Sequence, residues 1–333
     1  MNVLQSLNRA LADCLEADES VFFLGEDVLD PYGGAFKVAQ GLSTAFPKRV
    51  ITTPVSESGI VGLGTGMALR GLRPVVEIMF GDFLLLAADQ LVNHAAKLRW
   101  MANDQVRVPL VVRTPMGGRR GYGPTHSQSL EKHLLGAPGL IVAAVSAIDN
   151  PGALLTHAVF ETQDPVLLVE HKLLYAQDVL PVGEAGDLVI ERLGGGFPTF
   201  RVTVKGAPAA QVTLATYGYM AELGRQALLE LAYEHEIFGE LLVFSQLSPP
   251  ELTPVFESLS STGRLVTAEE GTLSLGWGAE VAASCLERRS GDLSLRRVAA
   301  MEMPVPAAGP LEAAVLPQTG DVIAAALDLC RGV

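Results

Sequence analysis

Short apolar runs mark the first part of the chain at residues 21–24, 50–55, 75–79, 108–113, 141–144 and 166–169, alternating with helical stretches. Runs of this length predict buried strands, and their alternation with helices predicts an α/β domain with a mainly parallel sheet. A second set at 212–216, 241–244, 265–268 and 295–299, separated by helices near 221–235, 254–260 and 279–289, predicts a second α/β domain. Between them, A-G-D-L-V-I-E-R-L-G-G-G-F-P-T-F at 185–200 is rich in glycine and proline and reads as a connector. The expected division is therefore a first domain over 1–185, a connector over 186–210 and a second domain over 211–333.

Composition narrows the function classes. With 49% hydrophobic and only 18% charged residues, the 333-residue chain has ample core for two domains, and part of its apolar surface is expected to be covered by other chains. A formal charge of −13, with no basic stripe carrying interleaved aromatics, excludes a nucleic-acid binder. Cys14, Cys285 and Cys330 are far apart and form no C-x-x-C, so neither a disulfide framework nor a cysteine-rich metal site is indicated. A reducing, cytoplasmic setting is expected. The amphipathic start reads as a helix and not as a signal peptide, and the most apolar stretch, 80–92, is broken by Asp82 and Asp89 and too short to span a membrane.

Candidate chemistry begins at T-T-P-V-S-E-S-G-I-V-G-L-G-T-G, residues 52–66, which sets Glu57 between an apolar strand and a glycine-studded helix. Read locally, Glu57 is a first-turn acid beside the cap residues Ser56 and Ser58, stabilised by exposed amides and the helix dipole. Gly59, Gly62, Gly64 and Gly66 match neither G-x-G-x-x-G nor a P-loop, and predict close packing of this helix against a second one, of this chain or of another subunit. Asp82 is placed to cap a helix over 84–98, with Phe83 at its mouth, either as an apolar contact or as a ring stacking on a planar ligand. His126 lies in a long glycine-rich loop, R-T-P-M-G-G-R-R-G-Y-G-P-T-H-S-Q-S, where an imidazole is either solvated or poised for proton transfer. Arg119 and Arg120 on that loop are solvated or hold an anion. No pair of histidines has a metal-ligand spacing.

Several motifs converge: L-G-E-D-V at 24–28, Y-G-G-A-F-K-V at 32–38, T-P-V-S-E-S-G-I-V-G at 53–62, G-L-R-P-V-V-E-I-M-F-G-D-F at 71–83, D-Q-L-V-N-H-A-A-K at 89–97, H-S-Q-S at 126–129 and P-G-L at 138–140. Each is weak alone; in this order the chain resembles the beta subunit of thiamine-diphosphate-dependent 2-oxo acid dehydrogenases over nearly its whole length. The resemblance implies a thiamine-diphosphate-binding α/β fold, a pyrimidine-binding domain followed by a transketolase C-terminal-like domain. It implies that Glu57 hydrogen-bonds the cofactor's aminopyrimidine and promotes loss of the thiazolium proton. Phe83 matches the aromatic that packs on the pyrimidine, Val55 and Met79 its apolar wall, and His126 a histidine of proton and acyl transfer.

The magnesium and diphosphate motif, G-D-G followed by asparagine, is missing from the sequence. By the resemblance, thiamine diphosphate and Mg2+ are held mainly by a partner alpha subunit, in an α2β2 heterotetramer that serves a lipoyl acyltransferase or another acyl carrier. Val243 and Ser245 replace the acid and arginine of the family's D-L-R-T-L-S-P, and Glu302 stands before P-V-P where relatives have aspartate. The competing expectations are the C-terminal half of a split transketolase, a biosynthetic two-carbon transfer enzyme, and a non-catalytic assembly subunit.

Overall fold

The computed structural model describes residues 1–288 and 293–331. Arg289, where the helix expected over 279–289 ends, lies outside the described residues. Strands β1 (Val21–Gly25), β2 (Val50–Thr52), β3 (Arg73–Glu77), β4 (Val111–Met116), β5 (Ile141–Ala144) and β6 (Val166–His171) are mutually parallel in a first sheet. The second half adds β7 (Gly183–Ala185), β8 (Leu188–Leu193), β9 (Thr199–Val204), β10 (Val212–Tyr217), β11 (Gly239–Phe244), β12 (Gln246–Ser248), β13 (Arg264–Thr272) and β14 (Ser294–Ala300). Seven of these form the second sheet, in the order β14-β13-β10-β11-β9-β8-β7, and β12 crosses over to the edge of the first, whose order is β12-β5-β6-β4-β3-β1-β2.

The stretch expected as a connector, 186–210, differs from that reading because it holds β8 and β9, antiparallel strands of the second sheet. Its glycines are turn residues: Gly186 and Gly194 have φ of 63° and 78°, which a side chain disfavours. Three helices flank the first sheet's early strands: α1 (Val3–Ala17), α2 (Leu42–Ala45) and α3 (Glu57–Leu69). Later come α4 (Ala96–Met101), α5 (Pro151–Phe160), α6 (Met220–His235), α7 (Thr253–Thr262), α8 (Trp277–Arg288), α9 (Gly309–Val315) and α10 (Thr319–Arg331). α1 is amphipathic as expected, with Leu7, Leu11 and Leu15 on its buried face and a capping box between Asn2 and Gln5.

One local expectation is corrected. The helix over 84–98 is not continuous: a 3-10 turn over Gly81–Ala87 passes into a π segment over Gln90–Ala95 and only then into α4. Within the chain the glycines of α3 meet different neighbours. A Cβ at Gly64 would come within 2.9 Å of Leu110 and 3.0 Å of Val76, so that glycine lets α3 settle on the sheet, while Gly62 faces Gln90 of the π segment and Gly66 faces open space.

One apolar core runs through both halves, because Tyr217, Phe244 and Trp277 join the cluster that contains Leu24, Ile60 and Leu167. Across the centre of the first sheet the buried Arg113 of β4 reaches Glu77 of β3 and Glu170 of β6, with Tyr175 donating to Glu170 at 2.7 Å. Arg113 is 1% exposed, so the guanidinium is matched by carboxylates and not by water. Arg113→Met would leave two buried carboxylates without their cation, a loss worth roughly 3–5 kcal/mol. Chemical denaturation of the variant should show a large drop in midpoint; a wild-type midpoint would mean that the three strands do not depend on this network.

Candidate active site

Because β1, β2, β3, β4 and β6 are parallel, their C-terminal ends share one edge, where crevices form in open α/β sheets. The residues that follow those ends are Glu26 after β1, Val55 and Glu57 after β2, Met79 to Phe83 after β3, the loop 117–129 after β4, and Lys172 after β6. The site is thus made by topology before any side chain is considered.

Glu57 is the first residue of α3, and Ser56 caps the helix by accepting a hydrogen bond from Gly59 N at 3.3 Å. The capping role therefore belongs to Ser56. Glu57 is only 5% exposed, and no side chain or amide among the described residues hydrogen-bonds its carboxylate. Beside it lies a second carboxylate, Glu26, also 5% exposed, whose Oε1 has no partner. Burial, and after it the charge of Glu57, pushes the Glu26 carboxyl above the ordinary carboxylate range. Ser56 N–H donates to the Glu26 carboxylate, but its buried Oε1 has no donor, and with Glu57 beside it this is a place that suits a ligand carrying N–H groups.

The aromatic part of the site is a cluster around Phe80. Its ring stands edge-on to His126 at 5.0 Å between centroids, 5.9 Å from Phe83 and 5.3 Å from Phe36, while Phe83 and His126 meet edge-on at 5.3 Å. Phe83 and His126 are therefore brought together, as their separate strand-end positions allow. The 3-10 turn that carries Phe83 packs against α3, the helix that begins with Glu57. No hydrogen bond or ring contact joins Glu57 to Phe83 or His126 among the described residues. Met79 is half-buried next to Phe80, and Val55 is 81% exposed.

The loop bearing His126 is fixed from both domains. Asp82 does not cap a helix; its Oδ1 accepts from Gln128 N at 3.1 Å and Gln128 Nε2 at 3.0 Å, tying the loop to the 3-10 turn. From the second domain, Glu312 of α9 accepts from Arg119 N at 2.8 Å and Gly121 N at 3.1 Å. Glu270 of β13 accepts from Gly118 N at 2.8 Å and Arg119 Nε at 3.0 Å and meets His171 Nε2 at 3.0 Å. Burial alone would raise the Glu270 carboxyl, but His171, Arg119 and the Gly118 amide outweigh it and hold the group well below the usual range. Arg119 is thus a structural anchor, whereas Arg120 is exposed and lies over the Tyr122 ring.

Sequence reasoning missed Glu26, Phe80, Lys172, Glu270 and Glu312. A signal existed for Glu26, an acid directly after a buried strand, and for Lys172, in the charged triplet Glu170-His171-Lys172 that ends an apolar run. Nothing local marks Glu270 or Glu312, whose partners lie 152 and 193 residues away along the chain. The departures at Val243 and Ser245 fall elsewhere: Val243 is in the core of the second domain, and Ser245 accepts from Ala144 N where the chain crosses into the first sheet.

The chain matches the family models for the transketolase pyrimidine-binding domain over residues 1–177 and the transketolase C-terminal domain over residues 202–322. It is 35% identical to the mitochondrial pyruvate dehydrogenase E1 component subunit beta-1 of Arabidopsis thaliana, with 99% of this chain and 89% of that protein covered. To the pyruvate dehydrogenase E1 component subunit beta of Rickettsia bellii it is 34% identical, with 99% and 98% covered. Among solved structures, an inactive beta4 tetramer of a split-gene transketolase superposes with a TM-score of 0.77 at 18% identity, over 99% of both chains, a likeness of fold. By sequence over its whole length, and by the two domains it is built from, the chain belongs to the family of E1 beta subunits of thiamine-diphosphate-dependent 2-oxo acid dehydrogenases.

Proposed function

We propose that this beta subunit supplies the pyrimidine-binding half of an active site that decarboxylates a 2-oxo acid and passes the acyl group to a lipoyl or other carrier, the other half coming from an alpha subunit in an α2β2 heterotetramer. The observation that carries this reading is the buried Glu57 carboxylate, which finds no hydrogen-bond donor in its own chain. An aminopyrimidine offers such a donor. Phe83, with Met79 and Val55 around the same strand ends, supplies an apolar setting for the ring, so the residues present fit thiamine diphosphate.

When bound, the cofactor supplies the carbanion chemistry. Glu57 holds and exchanges a proton at a ring nitrogen of the pyrimidine, and its low exposure keeps competing water away. His126, half-buried against Phe80 and Phe83, donates or removes a proton at the reacting end. The diphosphate and Mg2+ are assigned to the alpha subunit, in keeping with the lack of a G-D-G motif. Exposed apolar residues on the same side, Val55 at 81%, Leu63 at 51% and Leu86 at 62%, suit a surface that another subunit covers. A reducing cytoplasm is proposed as its location, supported by three cysteines that form no disulfide.

The purified chain alone should bind thiamine diphosphate weakly and show no decarboxylase activity, both appearing on addition of the alpha subunit. Robust activity from a homomeric preparation would sink the half-site reading. In the assembled enzyme, Glu57→Gln should leave assembly intact and slow exchange of the cofactor's thiazolium proton by roughly 10² to 10⁴ fold. NMR quench measurements of that exchange decide the matter, and an unchanged rate would return Glu57 to a first-turn acid. His126→Ala should lower transfer to the carrier more than decarboxylation followed with an artificial electron acceptor; equal and wild-type values for both would remove His126 from the mechanism.

A further inference from the structure

We propose that Lys172 is a positioning residue that pins the His126 loop at the reacting end of the site, an inference that extends the function proposed above. Lys172 directly follows β6 and is 1% exposed. Its Nζ donates to the backbone carbonyl of His126 at 2.5 Å and lies over the rings of Phe80 and Tyr122, at 5.1 and 5.6 Å from their centroids. No carboxylate comes within ion-pair distance of it among the described residues. A buried ammonium without a counter-ion is costly, so its remaining partners, one carbonyl and two ring faces, determine where it sits. Phe80 is also the ring on which the His126 imidazole rests, and the same cation therefore contacts both supports of that histidine.

The two sides of this contact differ in rigidity. Lys172 is preceded by Glu170, locked to Arg113, and by His171, locked to Glu270, so the anchor is fixed. The loop has positive φ at Gly117, Arg119, Gly121 and Gly123, and its amides at Gly118, Arg119 and Gly121 are held on the far side by Glu270 and Glu312. Between Gly123 and Gln128, Lys172 provides the tether on the His126 carbonyl itself. The charged groups acting on it are Asp82, Glu270 and Glu312, which favour the ammonium, and Arg120, which opposes it; burial outweighs them and lowers Lys172 from 10.5 to about 8. The charged donor is therefore present below pH 8 and is lost as pH rises through that value, well before an exposed lysine would lose it.

The test follows acylation of His126 by diethyl pyrocarbonate in the full-length chain, read by mass spectrometry from pH 7 to 9.5 against the exposed His133 of the same molecules. Wild type should react slowly at pH 7 and show a second rise in rate through pH 8, of roughly ten- to a hundredfold, the range a charge-assisted hydrogen bond controls. Lys172→Met should react fast throughout with no step, and Lys172→Arg should remain slow with no step. In the enzyme assembled with its alpha subunit, Lys172→Met should lower carrier transfer while thiazolium proton exchange stays at the wild-type rate. A Lys172→Met profile identical to wild type, or a step near pH 8 that survives in it, overturns the proposal; if that variant does not fold, the absence of a step in wild type does so. The labelling arm needs no catalysis, so it stands or falls separately from the proposed activity.

Discussion

The loop that carries His126 is held by carboxylates that belong to the other domain, and this is the constraint on which the candidate site depends. A loop rich in glycine between Met116 and Ser129 has no strand or helix to place it, and its amides need acceptors once they are buried. Glu270 and Glu312 provide them, at Gly118, Arg119 and Gly121. Glu270 remains ionised despite its burial because His171 and Arg119 flank it, so the same interaction that places the loop also fixes the end of β6. Mutual placement of the domains and placement of His126 are one event. The crossing of β12 to the edge of the first sheet and the core shared through Tyr217 and Trp277 leave the domains little freedom to separate.

Beneath the loop, the sheet is organised by a different polar group. Arg113, Glu77 and Glu170 are buried together in adjacent strands with Tyr175 of the 3-10 turn after β6, and each end of the network leads to the candidate site. Glu77 is followed by Ile78, Met79 and Phe80, and Glu170 by His171 and Lys172. A Cβ at Gly34 would lie 2.8 Å from Glu77 Oε1, so the glycine of the Y-G-G-A-F segment lets that segment cross close over the network and deliver Phe36 to Phe80. Strand order thus becomes aromatic geometry through a rigid ionic layer.

Much of this was legible in the sequence because it is local. Apolar runs ended near the observed strands, Ser56 and Glu57 fell at a helix start, and Phe83 and His126 followed strand ends that the parallel sheet brings to one side. The structure differs where a local signal had two physical meanings. Glycine and proline over 186–210 mark turns inside a sheet and not a linker, since antiparallel β8 and β9 need positive φ at their junctions. The run over 84–98 has helical composition, yet its backbone passes through 3-10 and π geometry, a distinction that composition does not carry. Asp82 had a cap-like position and was drawn instead to Gln128, a partner created by the fold. The clamp of Glu270 and Glu312 left no local trace, because long-range carboxylate-to-amide bonds have no periodicity.

The open side of α3 leaves both polar and apolar groups unmet. Two carboxylates, Glu26 and Glu57, lie together at low exposure without a cation, and Glu26 Oε1 is buried without a donor, which costs stability unless something else satisfies it. Around them the surface carries Val55, Leu63, Leu85 and Leu86, all exposed, and Gly66 leaves the helix bare on that face. Such a surface is unfavourable in water for both its polar and its apolar parts. A ligand with N–H donors relieves the first, and a covering subunit relieves the second. The two remedies reinforce each other, because covering the surface also excludes the water that would compete for Glu57.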